Sequence, residues 1–349
     1  MITSATYVDL AELPLVSAAK LAAAQRLPFG KLTRIVLPFI TLEIITYTPG
    51  YPELCTQALR QTTLRDICSK TLRIVVADKE TTPELGIRLI ADHEVGINDL
   101  IKVFEHNDLD GYLDIDQYNW HLHDSAQGLG LMVLSAPQAW APWEASLPLR
   151  QFLHWGYAAQ GKRLLHAATL GVGEAGALLV GSGGAGKSGT TLAGIMHGLT
   201  SVGDDYVVLA ESSGKITAYP IARFFKQDRA GLKRVGIPAE EMAINWQGKT
   251  TLDPETIAPG CFVNSMQIGA IGIPRIANAS STTITRATAQ DAMMAITPSN
   301  LGQLPGRMQS GFQFLSKLAK RLPAYHIALG TDPAETSATI RNWLTNGKT

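Results

Sequence analysis

The chain has 349 residues, 46% of them apolar and 17% charged, and its 30 basic and 30 acidic side chains cancel to a formal net charge of zero. That length allows two domains, and the composition supplies a core and excludes long disorder. The charge balance lacks the basic excess on which affinity for nucleic-acid phosphates usually rests, so no nucleic-acid partner is expected.

The opening MITSATYVDLAEL has early acidic residues and no apolar core segment, so it is not read as a signal peptide. RIVLPFITLEIITY is interrupted by Pro38 and Glu43 and is too short to span a bilayer, so no membrane association is expected. Cys55, Cys68 and Cys261 form neither a metal pattern nor a disulfide framework, which fits a reducing cytoplasm. LTRIVLPFITLEIITY reads as one or two strands and LRIVVAD (72–78) as another, while GINDLIKVF has helical spacing. YLDIDQYNWHLHD alternates in period two and reads as a single strand with one wet face. His121 and His123 share a face of it; a metal reading of that pair has only Asp124 as a partner.

SAPQAWAPWEASLPLR reads as a connector entering a helix at about residues 148–160, with Trp120, Trp140, Trp143 and Trp155 packing domain joints. The expected organisation is an α+β region over 1–142, with substrate recognition as its task, and a catalytic domain over 145–349. RLLHAATLG and GALLVG read as two strands of a hairpin joined by GVGEA. A glycine loop, a helix over TTLAGIMHGL and the segment SVGDDYVVLA follow. The chain closes with RMQSGFQFLSKLAKRL as helix, AYHIALG as strand, and a last helix capped by Thr331 with Pro333 and Glu335 behind it.

GSGGAGKSGT, from residue 181 to 190, satisfies G-x-x-x-x-G-K-[ST] between a strand and a helix. Glycines let successive N–H groups turn inward around phosphate oxygens, and the helix that follows presents its positive end to the same anion. Gly181, Ser182, Gly183, Gly184, Ala185, Gly186, Lys187, Ser188 and Gly189 are therefore expected to line the phosphates of ATP. Lys187 would reach the outer phosphates and the Ser188 hydroxyl would ligate Mg²⁺. Asp204 and Asp205 stand close behind, at the end of a short strand, with a turn at Gly203 bringing both to one site. One would hold Mg²⁺ and the other accept a proton from an attacking hydroxyl; which does which is left open. His166 reads either as a core histidine or as support for the phosphate or the acidic pair. Arg223, Lys226 and Arg229 read as a solvated helix face, with contact to the acceptor or the transferring phosphate as the alternative; Arg275 and Arg307 are candidate phosphate clamps.

The order HAATLG, hairpin, GALLVGSGGAGKS, helix, SVGDDYVVL resembles the HPr kinase/phosphorylase group over roughly residues 163–210. The catalytic domain of that group shares its core with phosphoenolpyruvate carboxykinase. The resemblance implies an α/β (α+β) fold: a phosphoenolpyruvate-carboxykinase-like P-loop catalytic domain with a smaller N-terminal α+β domain. It puts His166 at the family's active-site histidine, Lys187 and Ser188 at its nucleotide and Mg²⁺ positions, and Asp204 and Asp205 at its acidic pair. WEASLPLRQFLHWGYAAQGKRLLHAA and LPAYHIALGTDPAE are similar to bacterial HPr-kinase-related proteins, some of which tailor lasso peptides. What this implies is a serine kinase using ATP and Mg²⁺ on a peptide or protein acceptor, with self-association left open. A small-molecule or glycan kinase and a nucleotide-dependent switch are the alternatives. The chain has neither the N-K-x-D of GTPases nor the L-S-G-G-Q of transporter ATPases.

Overall fold

The computed structural model describes residues 6–27, 30–62, 70–89 and 96–346. Cys68 and the first five residues, on which the cysteine and leader expectations partly rest, lie outside them. The chain adopts a mixed α/β architecture in two compact units, residues 1–161 with 304–307, and residues 162–303 with 308–349.

The first unit runs β1 (Thr6–Val8), α1 (Leu13–Ala24), β2 (Lys31–Leu37), β3 (Ile40–Thr46), α2 (Tyr51–Ala58), β4 (Lys70–Asp78), β5 (Ile87–Leu89), α3 (Ile97–Glu105), β6 (Leu109–Asp114), β7 (Asn119–Asp124), β8 (Leu129–Leu134) and α4 (Arg150–Ala158). Six strands form a sheet in the order β2-β3-β4-β8-β7-β6, and β1 pairs with β5 apart from it. The stretch YLDIDQYNWHLHD is two antiparallel strands, β6 and β7, rather than one. Asp114 accepts from the Asp116 N–H at 3.1 Å and Tyr118 takes φ of 57°, so a turn forms without an Asn-Gly signal. Nor is one face wet. Trp120 and Leu122 pack with Leu13, Leu21 and Phe104 of α1 and α3. On the other face His121 lies against Phe152 and His123 against Trp155, both of α4. A sheet covered on both sides hides the alternation that marks a half-exposed strand. Trp120 and Trp155 are accordingly core residues of this unit rather than joint packers.

The second unit runs β9 (Arg163–His166), β10 (Ala168–Val172), β11 (Ala175–Leu179), α5 (Lys187–Met196), β12 (Tyr206–Ser212), β13 (Lys215–Pro220), β14 (Phe225–Asp228), α6 (Arg229–Arg234), β15 (Lys249–Leu252), α7 (Pro254–Ile257), β16 (Met266–Ala279), β17 (Thr283–Ala287), α8 (Ala289–Gln303), α9 (Met308–Arg321), β18 (Ala324–Gly330) and α10 (Pro333–Asn346). The 14-residue β16 is the spine, pairing parallel with β11 and β18 and antiparallel with β13. β10 and β11 form the expected hairpin, but β9 leaves it at Ala167 and pairs with β12. One apolar cluster gathers Leu165, Val207, Ile271, Ile296 and Leu315; another gathers Leu170, Leu179, Leu192, Ile327 and Ile340. α10 is capped by Asp332, whose carboxylate accepts from the Ala334 N–H at 2.9 Å, not by Thr331. Glu335 instead accepts from the Thr282 N–H and hydroxyl.

Candidate active site

β11 ends at Leu179 and α5 starts at Lys187, and the loop between them turns on glycine. Gly181, Gly184 and Gly186 have φ of 150°, 80° and 102°. These are backbone conformations that side chains resist. A Cβ on Gly186 would also stand 2.6 Å from Leu329 Cδ1, whereas one on Gly183 would meet open space. Gly186→Ala is therefore expected to cost roughly 2 kcal/mol and lower Tm by about 5 °C, while Gly183→Ala leaves Tm unchanged. Thermal unfolding of the two variants checks this; equal Tm values would contradict it.

Lys187 curls back into the loop, donating to the carbonyls of Gly181 at 2.7 Å and Ser182 at 3.2 Å. Burial lowers the basicity of its ammonium, and the charges of Asp205 and Asp204 oppose that. Thr190 and Thr191 bond back to the carbonyls of Gly186 and Lys187, turning their hydroxyls onto the first turn of α5.

After α5 the chain returns beside β10. Thr200 and Gly171 exchange backbone hydrogen bonds, and the Thr169 N–H donates to the Gly203 carbonyl at 2.9 Å. The Thr169 hydroxyl accepts from the Val202 N–H, and the Ser201 hydroxyl from the Gly203 N–H. Gly203 admits the bend: a Cβ there would lie 2.7 Å from Val207 Cγ1 and 2.8 Å from the Tyr206 carbonyl oxygen. The acidic pair thus precedes β12, which starts at Tyr206, instead of ending a strand. Being outside the ladder, Asp204 and Asp205 need not alternate faces, and both turn into the site.

Asp204 is buried, 3% exposed. Its Oδ2 accepts from the Lys226 N–H at 3.1 Å, but its Oδ1 has no hydrogen-bond partner. Desolvation, then the charge of Asp205, push the carboxyl up to about 6, against the Lys226 N–H and the Ser188 side chain, which favour the charged form. An orphaned buried carboxylate oxygen beside a hydroxyl is a donor set that suits a hard divalent cation. No cluster of three or more His, Cys, Asp or Glu side chains suited to a metal occurs among the described residues.

Asp205 is held on both oxygens. His166 Nε2 donates to Oδ1 at 3.0 Å and Lys226 Nζ pairs with Oδ2 at 2.6 Å. Burial alone would raise its proton affinity, but the His166 hydrogen bond and the Lys226 charge hold it well below the usual carboxylate range. His166 is at the last position of β9, opposite Tyr206 in the ladder, and the two rings lie 5.2 Å apart. Its backbone is clamped by Asn300 of α8, whose Oδ1 accepts from the His166 N–H at 2.7 Å while Nδ2 donates to the His166 carbonyl. The Tyr206 phenol donates to Gln303 Oε1 at 2.6 Å.

The structure thus brings together Lys187, Ser188, Asp204, Asp205 and His166, and adds Lys226, Asn300, Tyr206 and Gln303. Lys226 is not on a solvated helix face: it lies on β14 with its side chain 13% exposed. Arg223 pairs with Asp253 and Arg229 donates to the Met242 carbonyl. Arg307, the other candidate clamp, pairs its guanidinium within the first unit with Asp110 at 2.6 and 3.0 Å. Asp110 also accepts from His123 at 2.9 Å, and burial lowers His121 to about 3. Those two histidines are packing and ion-pairing groups. Arg275 is exposed on β16.

Neither a protein-family model nor a curated protein matches the chain. Among solved structures, the Hpr(Ser) kinase/phosphatase from Coxiella burnetii is one match. The identity is 12%, covering 53% of this chain and 96% of that one, with a TM-score of 0.30. Among the described residues no helix is long and apolar enough to cross a membrane.

Proposed function

We propose that the chain is an ATP-dependent kinase that moves the γ-phosphoryl group to a hydroxyl, most suitably a serine of a peptide or protein acceptor. The observation that carries this reading is the meeting of Lys187 and Ser188 with two aspartates of different environment, one orphaned beside Ser188 and one pinned by His166 and Lys226. The second unit would then be a phosphoenolpyruvate-carboxykinase-like P-loop catalytic domain working in the cytoplasm, and residues 1–142 would select the acceptor.

The loop N–H groups and Lys187 hold the β- and γ-phosphates. Ser188 and Asp204 Oδ1 would hold Mg²⁺, which when bound neutralises charge on those phosphates. Asp205 serves the acceptor, because its side chain is 24% exposed where Asp204 is buried. The acceptor oxygen attacks the γ-phosphorus in line with the β–γ bridge. That P–O bond breaks, ADP leaves with the bridging oxygen, and the hydroxyl proton passes to Asp205. His166 keeps the carboxylate aimed through Oδ1. Catalysis of this kind rests on positioning and charge rather than on covalent chemistry.

The test incubates the protein with γ-labelled ATP, Mg²⁺ and an extract of source cells, and sorts the labelled products by size. Label on a peptide or protein is the expected outcome. Label confined to small molecules or glycans would replace the acceptor class, and tight ATP binding without transfer would replace the kinase with a nucleotide-dependent switch.

A further inference from the structure

Lys226 touches both aspartates, through its backbone N–H to Asp204 Oδ2 at 3.1 Å and its ammonium to Asp205 Oδ2 at 2.6 Å. The ribbon that carries it lies beside the start of α5. Gln227 Nε2 is 3.5 Å from the place a Cβ on Gly189 would take. Lys249, opposite Asp228 on β15, acts electrostatically on Lys187. The two partners of Asp205 differ in freedom. His166 is clamped at its backbone by Asn300 and backed by Tyr206, itself tied to Gln303. Lys226 sits on a flexible four-carbon stem ending in a compact charge. Its ammonium occupies the oxygen that an acceptor hydroxyl needs, and a largely buried cation does not leave a carboxylate unless a denser anion offers itself. A γ-phosphoryl group on the loop is such an anion.

We infer that Lys226 is a γ-phosphoryl-binding residue held in store on Asp205: ATP draws its ammonium across, and Asp205 Oδ2 is thereby opened to the acceptor hydroxyl. The inference rests on the kinase reading for the identity of the anion. It makes ATP the first substrate to bind and ADP a poor opener of the site, because ADP lacks the group that attracts Lys226.

Titration calorimetry of the full chain with Mg²⁺ tests this through the ratio of ATP to ADP affinity, a quantity that needs no acceptor. Lys226→Gln is expected to weaken ATP about tenfold and ADP less than twofold, while Lys226→Arg keeps the wild-type preference. Unfolding of the unliganded variants checks that each folds, and Lys226→Met replaces the glutamine variant should that one not. An unchanged ATP-to-ADP ratio in the charge-free variant overturns the inference and leaves the kinase reading standing. A shifted ratio with no labelled acceptor supports the movement of Lys226 to the γ-phosphoryl group and replaces the kinase with a nucleotide-dependent switch. A wild-type chain that binds neither nucleotide removes both.

Discussion

Lys187→Ala is expected to lower phosphoryl transfer about a thousandfold, equivalent to roughly 4 kcal/mol of transition-state stabilisation, and to weaken Mg·ATP binding as well. The ammonium bonds back onto the glycine loop, where on the kinase reading charge on the transferring group would develop, and burial there depresses its own proton affinity. A cation in such a place acts with little screening. The fold should hardly notice the loss. Lys187 donates only to two carbonyls of its own loop, Gly181 and Ser182, and its removal relieves a buried charge. Tm within about 2 °C of wild type is expected, since relief of the desolvated charge offsets the packing lost with the buried stem. Steady-state transfer, nucleotide titration and thermal unfolding on one preparation separate the two effects. A variant that loses activity only by unfolding would remove Lys187 from the site.

Asp204→Asn is expected to abolish transfer and yet stabilise the unliganded protein. The carboxyl is raised to about 6 by burial and by Asp205, against an ordinary value near 3.8. Below pH 4 both folded and unfolded chains hold this proton, and the site costs nothing. As pH rises from 4 to 6 the unfolded chain ionises more readily than the folded one, so stability falls. Above pH 6 the loss is complete, on the order of 3 kcal/mol. Asparagine mimics the neutral acid, so in Mg²⁺-free buffer the variant should gain about 8 °C in Tm at pH 7.5 and little at pH 4. Thermal scans across that range, with and without substitution, measure the difference. A variant less stable than wild type at pH 7.5, or a gain that persists at pH 4, would contradict the electrostatic account. Such an exchange of stability for function is common where a site is preorganised.

How much was legible in the sequence follows from how local each feature is. The strand, loop and helix could be read because they are contiguous, and because Gly181, Gly184 and Gly186 take backbone conformations that side chains resist. The acidic pair was legible by position but not by roles, since these depend on what lies against each oxygen. Lys226 was placed on a helix face because its neighbours RAGLKR do form α6. Its part in the site comes from a ladder with β15 and from pairing across 22 residues with Asp204. Asn300 is farther still, 134 positions from His166, in a helix without a strong apolar stripe. No periodicity announces a side-chain amide that clasps a distant backbone. The error over residues 112–124 has another cause, because period two marks a strand only when one face is wet.

The most direct test compares wild type with Asp205→Asn in γ-labelled ATP transfer, with Mg·ATP affinity measured alongside. The account predicts that the variant binds Mg·ATP within a few-fold of wild type and transfers label at least a thousandfold more slowly. Equal labelling by the two proteins would contradict it.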